Sequence, residues 1–196
     1  MVSPLTIHIT MLQFTKDATG GLKMANITFQ FDRRKAIEAI LYLAKRVSDS
    51  DIYGICKLLY LVDKTSLEKY GRFIFGETYY AMKEGSTPSN AYDLLKEAAQ
   101  TPMNELQIEG NQVIAKRDAN LEYFSESDKE CLDQIINVWG KVPNWNRRDA
   151  AHDEAWKKAW DRRGDKESVK IPVESIAELF DDSEDLLNYL SKSDIR

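Results

Sequence analysis

The chain has 196 residues, of which 43% are hydrophobic, and its formal net charge at pH 7 is −5. This length and apolar content are sufficient for one well-buried core. The acidic balance argues against broad non-specific binding to nucleic acid, because such binding depends on a clustered excess of lysine and arginine. We therefore do not expect nucleic acid as a direct ligand.

Cysteine usage and hydropathy indicate where the protein is found. Cys56 and Cys131 both lie in apolar helical patterns, which is typical of reduced core thiols in a cytosolic protein. No apolar run approaches the roughly 18–20 residues that span a bilayer. Residues 1–23 also lack the basic and apolar regions of a secretory signal. We expect a cytoplasmic protein with no membrane partner.

The first 23 residues differ in character from those that follow. They are polar and irregular, and they end in Ala-Thr-Gly-Gly shortly before Met24. We expect residues 1–23 to form a poorly ordered extension, and Met24 to be the true or an alternative start.

Two amphipathic helices are predicted next. Asp32 is a suitable N-cap, and apolar residues follow at helical spacing over residues 33–47. A second helix begins near Asp51, and Gly71 is well placed to end it with a left-handed cap. The aromatic-rich residues 72–82 suit an extended segment packed on these helices.

The middle of the chain combines turn signals with short strands. Thr87 and Pro88 read as the N-cap and first position of a third helix, preceded by an exposed loop around Gly85. Gly110-Asn111 predicts a two-residue hairpin between two short strands. Residues 119–124 are a candidate third strand.

Helical patterns return in the last third. Ser125 and Asp128 form an approximate capping box for a helix that Gly140 ends. Another helix is predicted over residues 147–162, followed by two short helical patterns within residues 165–196. That final stretch carries nine acidic and four basic residues, a net of −5.

These elements predict an α+β fold, a predominantly α-helical single domain with a small antiparallel β-sheet whose hairpin lies near residues 105–124. The domain is expected to span residues 24–172. Residues 173–196 are expected to form an acidic C-terminal helical segment.

Chemistry-bearing motifs are few. The chain has two histidines and no metal-ligand spacing or phosphate-binding loop, so we expect no metal and no cofactor. On one continuous helix, Asp149, His152 and Asp153 would share a face, and a carboxylate could orient the imidazole. A structural histidine is the favoured interpretation, and no catalytic residue is assigned.

Residues 141–163 interleave three tryptophans with basic side chains. Seven basic and four acidic residues give this stretch a charge of +3 in an otherwise acidic chain. Aromatic and arginine side chains can stack on bases or anchor a protein interface. Trp156 and Trp160, four residues apart, are more typical of a core stripe. Core packing is favoured, with a protein interface second and nucleic acid third.

Four blocks of sequence then carry a resemblance. In order they are 57–63 (KLLYLVD), 70–83 (YGRFIFGETYYAMK), 85–93 (GSTPSNAYD) and 151–156 (AHDEAW). Together they resemble the Panacea domain, or SocA-like antitoxin domain, of bacterial and phage toxin–antitoxin loci, over about residues 32–172. The residues that carry the motif are Asp63, Gly71, Gly85, Pro88, His152 and Trp156.

One block departs from the family pattern. The family usually reads His-Gly-Pro-Val-Pro where this chain has Glu84-Gly85-Ser86-Thr87-Pro88. If this segment contacts a partner, replacing an imidazole with a carboxylate changes which partner fits. Specificity therefore cannot be carried over from the family.

The resemblance implies a non-enzymatic antitoxin that binds a cognate toxin protein directly. Alternatives are an adaptor that delivers the toxin to a cellular protease, to which the acidic C-terminal segment could dock, and a phage or mobile-element counter-defence protein. Oligomeric state, stoichiometry and any autoregulation stay open. Candidate partner-binding residues are Arg72, Tyr79, Lys83, Glu84, Asn90, Tyr92, Arg147 and Arg148.

Overall fold

The computed structural model describes residues 27–101 and 103–192, together with the backbone of two short strands, β1 (Thr15–Lys16) and β2 (Leu22–Lys23). These two strands pair with each other in antiparallel orientation. The rest of the expected N-terminal extension and the proposed start at Met24 lie outside the described residues.

Eight helices in the described part of the chain make the fold predominantly α-helical, as predicted. None of them combines the length and apolar character that crossing a membrane requires. The helices are α1 (Arg33–Ala44), α2 (Ile52–Tyr70), α3 (Ser89–Gln100), α4 (Glu126–Trp139), α5 (Asn144–Ala150), α6 (Glu154–Asp161), α7 (Val173–Ala177) and α8 (Ser183–Lys192).

Helix α2 is the centre of the core. Helices α1, α3, α4, α5 and α7 all contact it. Most of its side chains between residues 54 and 67 are buried, including the polar Lys57 and Asp63. Asp51 accepts from the Gly54 amide to cap its start, and Gly71 ends it at φ 63°. A central helix apolar on nearly all sides is expected to be enclosed by its neighbours.

Besides the β1–β2 pair, two antiparallel sheets accompany the helices in the described residues. The predicted hairpin consists of β5 (Leu106–Glu109) and β6 (Gln112–Ala115). The other sheet has the order β4-β3-β7, where the strands are β3 (Tyr79–Met82), β4 (Gly85–Pro88) and β7 (Val169–Lys170). Hairpin β3–β4 replaces the predicted exposed loop, and all four residues of β4 are buried.

Three local predictions were wrong. Residues 119–124 contain a 3-10 helix (Leu121–Tyr123), not a strand. The helix predicted over residues 147–162 is two helices, because the Asp153 side chain accepts from the Trp156 amide and starts α6 afresh. Thr87 does not cap α3, since Pro88 occupies the N-cap position without a side-chain bond.

Candidate functional site

The tip of hairpin β3–β4 lies at the N-terminal end of α2. Lys83 and Glu84 form the exposed tip, and Gly85 follows at φ 99°, a conformation that favours glycine. The Tyr53 hydroxyl, in the first turn of α2, donates to the Glu84 carbonyl oxygen at 3.0 Å. The hairpin tip is thus tied to the start of the central helix.

Helix α5 borders the same tip. The Arg148 guanidinium lies 3.9 Å from the Glu84 carboxylate and donates to Asp149 Oδ1 at 3.1 and 3.2 Å. Trp145, three residues earlier on the same side of α5, is 59% exposed. We name this set the hairpin-tip surface; its members are Tyr53, Lys83, Glu84, Trp145 and Arg148.

A buried lysine holds the hairpin from below. Lys57 is 1% exposed, and its Nζ donates to the Ser86 carbonyl at 2.9 Å and to Thr87 Oγ1 at 3.3 Å. Burial lowers the pKa of Lys57 to about 8. Because these two acceptors both belong to β4, the Lys57 ammonium fixes this strand on α2. The adjoining hairpin tip is therefore held in a defined position.

His152 closes the other side of the hairpin. Its ring lies 3.4 Å from the position a Cβ on Gly85 would take, and 4.1 Å from the Trp156 ring. Trp156 donates from Nε1 to the Met82 carbonyl at 2.9 Å. Burial is the main cause that lowers the pKa of His152. The helix break at Asp153 also removes the shared helical face on which the predicted carboxylate–imidazole pair depended.

Arg147 is not a surface residue, so its prediction as a partner contact is wrong. It is 0% exposed. Its guanidinium donates to the carbonyls of Trp139, Asp49 and Gly140 and to the Asn144 side chain, at 2.6 to 3.1 Å. Burial lowers its pKa. Arg147 therefore positions α5, whereas its neighbour Arg148 reaches the surface.

Tyr79 is likewise buried, at 1% exposure, and cannot contact a partner directly. Its hydroxyl lies 2.9 Å from Asp63 Oδ2 and 3.2 Å from the Leu59 carbonyl. Asp63 Oδ1 accepts from the Ile74 amide at 2.7 Å. Burial is the main cause that raises the pKa of Asp63 to about 8. This group joins β3 to the inside of α2.

Arg72 follows the C-terminal end of α2, whereas the hairpin tip lies at its N-terminal end, and the helix between them is about 28 Å long at 1.5 Å per residue. It pairs with the buried Asp128 carboxylate at 2.7 Å and donates to Ser127 Oγ at 2.9 Å. Its charge therefore supports the start of α4. An Arg72→Glu variant would place two carboxylates together, so its effects would not report on partner contact alone.

Asn90 and Tyr92 lie on α3. The Asn90 backbone amide and side chain both donate to Glu77 Oε1, at 3.0 and 2.8 Å, and the Ala91 amide donates to Glu77 Oε2 at 2.9 Å. Glu77, which sequence reasoning missed, thus supplies the anionic cap that Pro88 cannot. Half-buried Tyr92 packs under Lys96 Nζ at 4.6 Å.

The structure therefore brings together only part of the predicted contact set. Lys83, Glu84 and Arg148 meet at the hairpin-tip surface, where Tyr53 and Trp145 join them. Tyr53 was missed because its place in the first turn of α2 carries no chemical signature. Among the described residues, no three His, Cys, Asp or Glu side chains group as they would around a metal ion.

Comparison with known proteins gives one match. A family model described as "Antitoxin SocA-like, Panacea domain" matches residues 55–157, from the first turn of α2 into α6. The matched range includes hairpin β3–β4, α5 and every member of the hairpin-tip surface except Tyr53. Searches of the curated proteins and of the solved structures found no match.

Proposed function

The chain belongs to the Panacea-domain family of SocA-like antitoxins, and we propose that it neutralises a cognate toxin by direct protein contact, without a cofactor or a catalysed reaction. Cytoplasmic action and a bacterial, phage or mobile-element toxin–antitoxin locus are parts of the same proposal. The family match supports the antitoxin role, and the arrangement at the hairpin tip supports contact as the route.

We place the toxin contact at the hairpin-tip surface. The observation that carries this assignment is Trp145, a 59% exposed tryptophan three residues before Arg148 on α5. Arg148 in turn interacts electrostatically with Tyr53 and Glu84. Tryptophan, tyrosine and arginine are the residue types that contribute most binding energy in protein interfaces. Lys57, Arg147 and His152 hold the tip and α5 in place, which suits recognition on a rigid base.

Truncating this surface should abolish tight binding while leaving the fold intact. For Trp145→Ala we expect a loss of at least about 2 kcal/mol in binding free energy, roughly 30-fold in Kd. Lys83→Glu should also weaken binding, because it reverses a charge at the tip. Affinity of each purified variant for the toxin encoded beside this gene would be measured by calorimetry.

Matched controls exist elsewhere on the chain. Tyr189 is 58% exposed, nearly equal to Trp145, and its ring lies against Gly71 at the far end of α2. Lys166 is exposed, like Lys83. Tyr189→Ala and Lys166→Glu should bind as the parent does. Equal losses in Trp145→Ala and Tyr189→Ala would contradict the assignment of the contact surface.

A growth assay tests the function itself. The neighbouring gene would be expressed with and without this chain, and the two proteins would be co-purified. Rescue of growth together with a stable complex is the expected result. No toxicity of the neighbouring gene would count against the antitoxin role and would favour a counter-defence protein, for which a phage early region is the expected genomic setting.

An adaptor that delivers the toxin to a cellular protease is the second candidate, favoured by α8. This helix exposes Tyr189 together with Glu184 and Asp185. Deleting residues 173–196 would be a poor test, because it removes the buried residues Val173, Ile176, Ala177, Phe180, Leu186 and Leu190. Under this alternative, Tyr189→Ala lengthens the lifetime of the toxin without weakening the complex.

A further inference from the structure

Residues 165–192, which we call the C-terminal strap, are joined to the sheet by very little backbone. Strand β7 has two residues, which pair with Tyr80 and Ala81 at the edge of β3. One more hydrogen bond runs from the Ile171 amide to the Tyr79 carbonyl at 2.8 Å. A two-residue edge strand contributes few ladder bonds, so the strap depends on its side chains for attachment.

The packing beneath the strap is incomplete. A cavity of about 10 Å³ lies at the junction, lined among others by Ile27, Phe73, Tyr79, Ile171 and Val173. Glu174 Oε2 is buried nearby on the strap and has no hydrogen-bond partner among the described residues. Voids and unsatisfied buried oxygens both lower the stability of an interface.

The polar attachments are also weak. The Lys158–Glu178 ion pair at 2.8 Å has both side chains 46% exposed, and exposed pairs of this kind contribute little. Glu174 Oε1 accepts from the Ile27 amide at 2.7 Å, which adds one tie to the N-terminal segment. The remaining attachment comes from buried apolar residues, namely Ile171, Val173, Ile176, Ala177, Phe180, Leu186 and Leu190.

The connection into the strap is open to a protease. Residues 161–167 are exposed apart from the half-buried Arg163, and Gly164 lies at φ 59°, where an added Cβ would meet no described atom within 4 Å apart from its chain neighbours. Arg162, Arg163 and Lys166 are cleavage sites for trypsin. A protease needs several extended residues on each side of the cut bond, and opening of the strap would supply them.

From these observations we propose that the C-terminal strap opens as one unit before the rest of the chain unfolds, and that proteolysis within residues 27–192 begins in residues 162–170. Release of β7 also uncovers the edge of β3, whose free backbone groups can pair with another strand. The strap would then set the lifetime of the protein. This inference does not depend on the identity of the partner or on the antitoxin role.

Hydrogen exchange and limited trypsin digestion of the full chain test the proposal. Amides of α7 and α8 should exchange together and well before those of α2. Within residues 27–192, the first cut should fall within residues 162–170 and leave a large fragment ending there. Cuts at Lys16 or Lys23 would shorten only the N-terminal segment and do not report on the strap. Cleavage reports the population of the open form when opening and closing are fast relative to cutting.

A pair of buried isoleucines separates strap opening from global unfolding. Ile176, on the strap, is 1% exposed, and Ile40, on α1, is 0% exposed. Ile176→Ala should raise the rate of the first cut about 30-fold or more. Ile40→Ala should leave that rate within about twofold, because Ile40 stays buried when only the strap opens.

Two outcomes would overturn the proposal. Equal acceleration in both variants would mean that cleavage requires global unfolding. No acceleration in either would mean that trypsin cuts the exposed connection while the strap stays closed. If an alanine variant does not fold, Ile176→Val and Ile40→Val give the same comparison, with an expected acceleration of about 2- to 10-fold for Ile176→Val alone.

Discussion

Replacing Arg147 with alanine is expected to lower the free energy of unfolding by about 3–5 kcal/mol. The guanidinium donates to three backbone carbonyls, those of Trp139, Gly140 and Asp49, and to the Asn144 side chain. Removing it leaves these buried acceptors unpaired and opens a cavity. The loss would be measured as the shift in the urea midpoint at constant m-value.

The neighbouring arginine provides the control. Arg148 is partly exposed, and Arg148→Ala should change stability by no more than about 0.5 kcal/mol. Arg147→Lys should recover little of the loss, because one ammonium cannot reach acceptors that a planar guanidinium meets in several directions. Equal stabilities for Arg147→Ala and Arg148→Ala would contradict the role assigned to Arg147.

The contrast between these two arginines shows what the sequence could reveal. Ala151, Ala155 and Ala159 repeat every four residues and are all buried, and Arg147 stands one step earlier in the same row. The row indicates a face of small residues packed against a neighbour. That signal points to Arg147 as the buried member of the pair, although the helix break at Asp153 interrupts the pattern.

Local signals predicted helix ends well. Asp32 caps α1, Gly71 ends α2 in the left-handed region, and Ser125 forms a full capping box with Asp128. The Gly110-Asn111 hairpin was also correctly predicted. These features depend on residues within a few positions of one another, so side-chain chemistry and spacing are sufficient to find them.

The sheet β4-β3-β7 was not predicted, because its strands are assembled by distant contacts. Residues 85–88, Gly-Ser-Thr-Pro, have the composition of a turn. They nevertheless form a strand, in which the Ser86 carbonyl accepts from Lys57 of α2 and the Ser86 hydroxyl donates to the Ala151 carbonyl at the end of α5. Strand β7 lies far beyond β3 in sequence and has only two residues. The hairpin-tip surface depends on this sheet, so only three of its members were predicted.

The substitution Asp63→Asn is expected to remove a pH dependence of stability that the parent protein shows between about pH 6 and pH 8. The Tyr79 hydroxyl has one proton but two acceptors within reach, the Leu59 carbonyl and Asp63 Oδ2. When Asp63 is protonated, it can donate to Tyr79, which then donates to Leu59. Burial raises the pKa of Asp63 to about 8, so the neutral acid predominates in the folded protein at pH 7.

The direction of this pH dependence follows from the pKa of Asp63 in the folded and in the unfolded protein. Unfolded Asp63 ionises near its ordinary pKa of 3.8, whereas folded Asp63 ionises near 8. The stabilising contribution of the protonated acid is therefore complete below about pH 4 and declines as the pH rises to about 8. At 1.36 kcal/mol per pH unit, flattening near the folded pKa, the parent should lose about 2 kcal/mol relative to Asp63→Asn between pH 6 and pH 8.

Urea unfolding of the parent and of Asp63→Asn at about pH 6, 7 and 8 measures this difference directly. The introduced carboxamide preserves both contacts, since its oxygen can accept from the Ile74 amide and its nitrogen can donate to Tyr79. Shifts from other groups, including Lys57 and His152, occur in both proteins and cancel in the comparison. As a control, Asp181→Asn, at an exposed position, should show the same change of unfolding free energy with pH as the parent. If the free energies of unfolding of Asp63→Asn and the parent change equally with pH, Asp63 is already ionised at pH 6. A protonated Asp63 that donates to Tyr79 would then be contradicted.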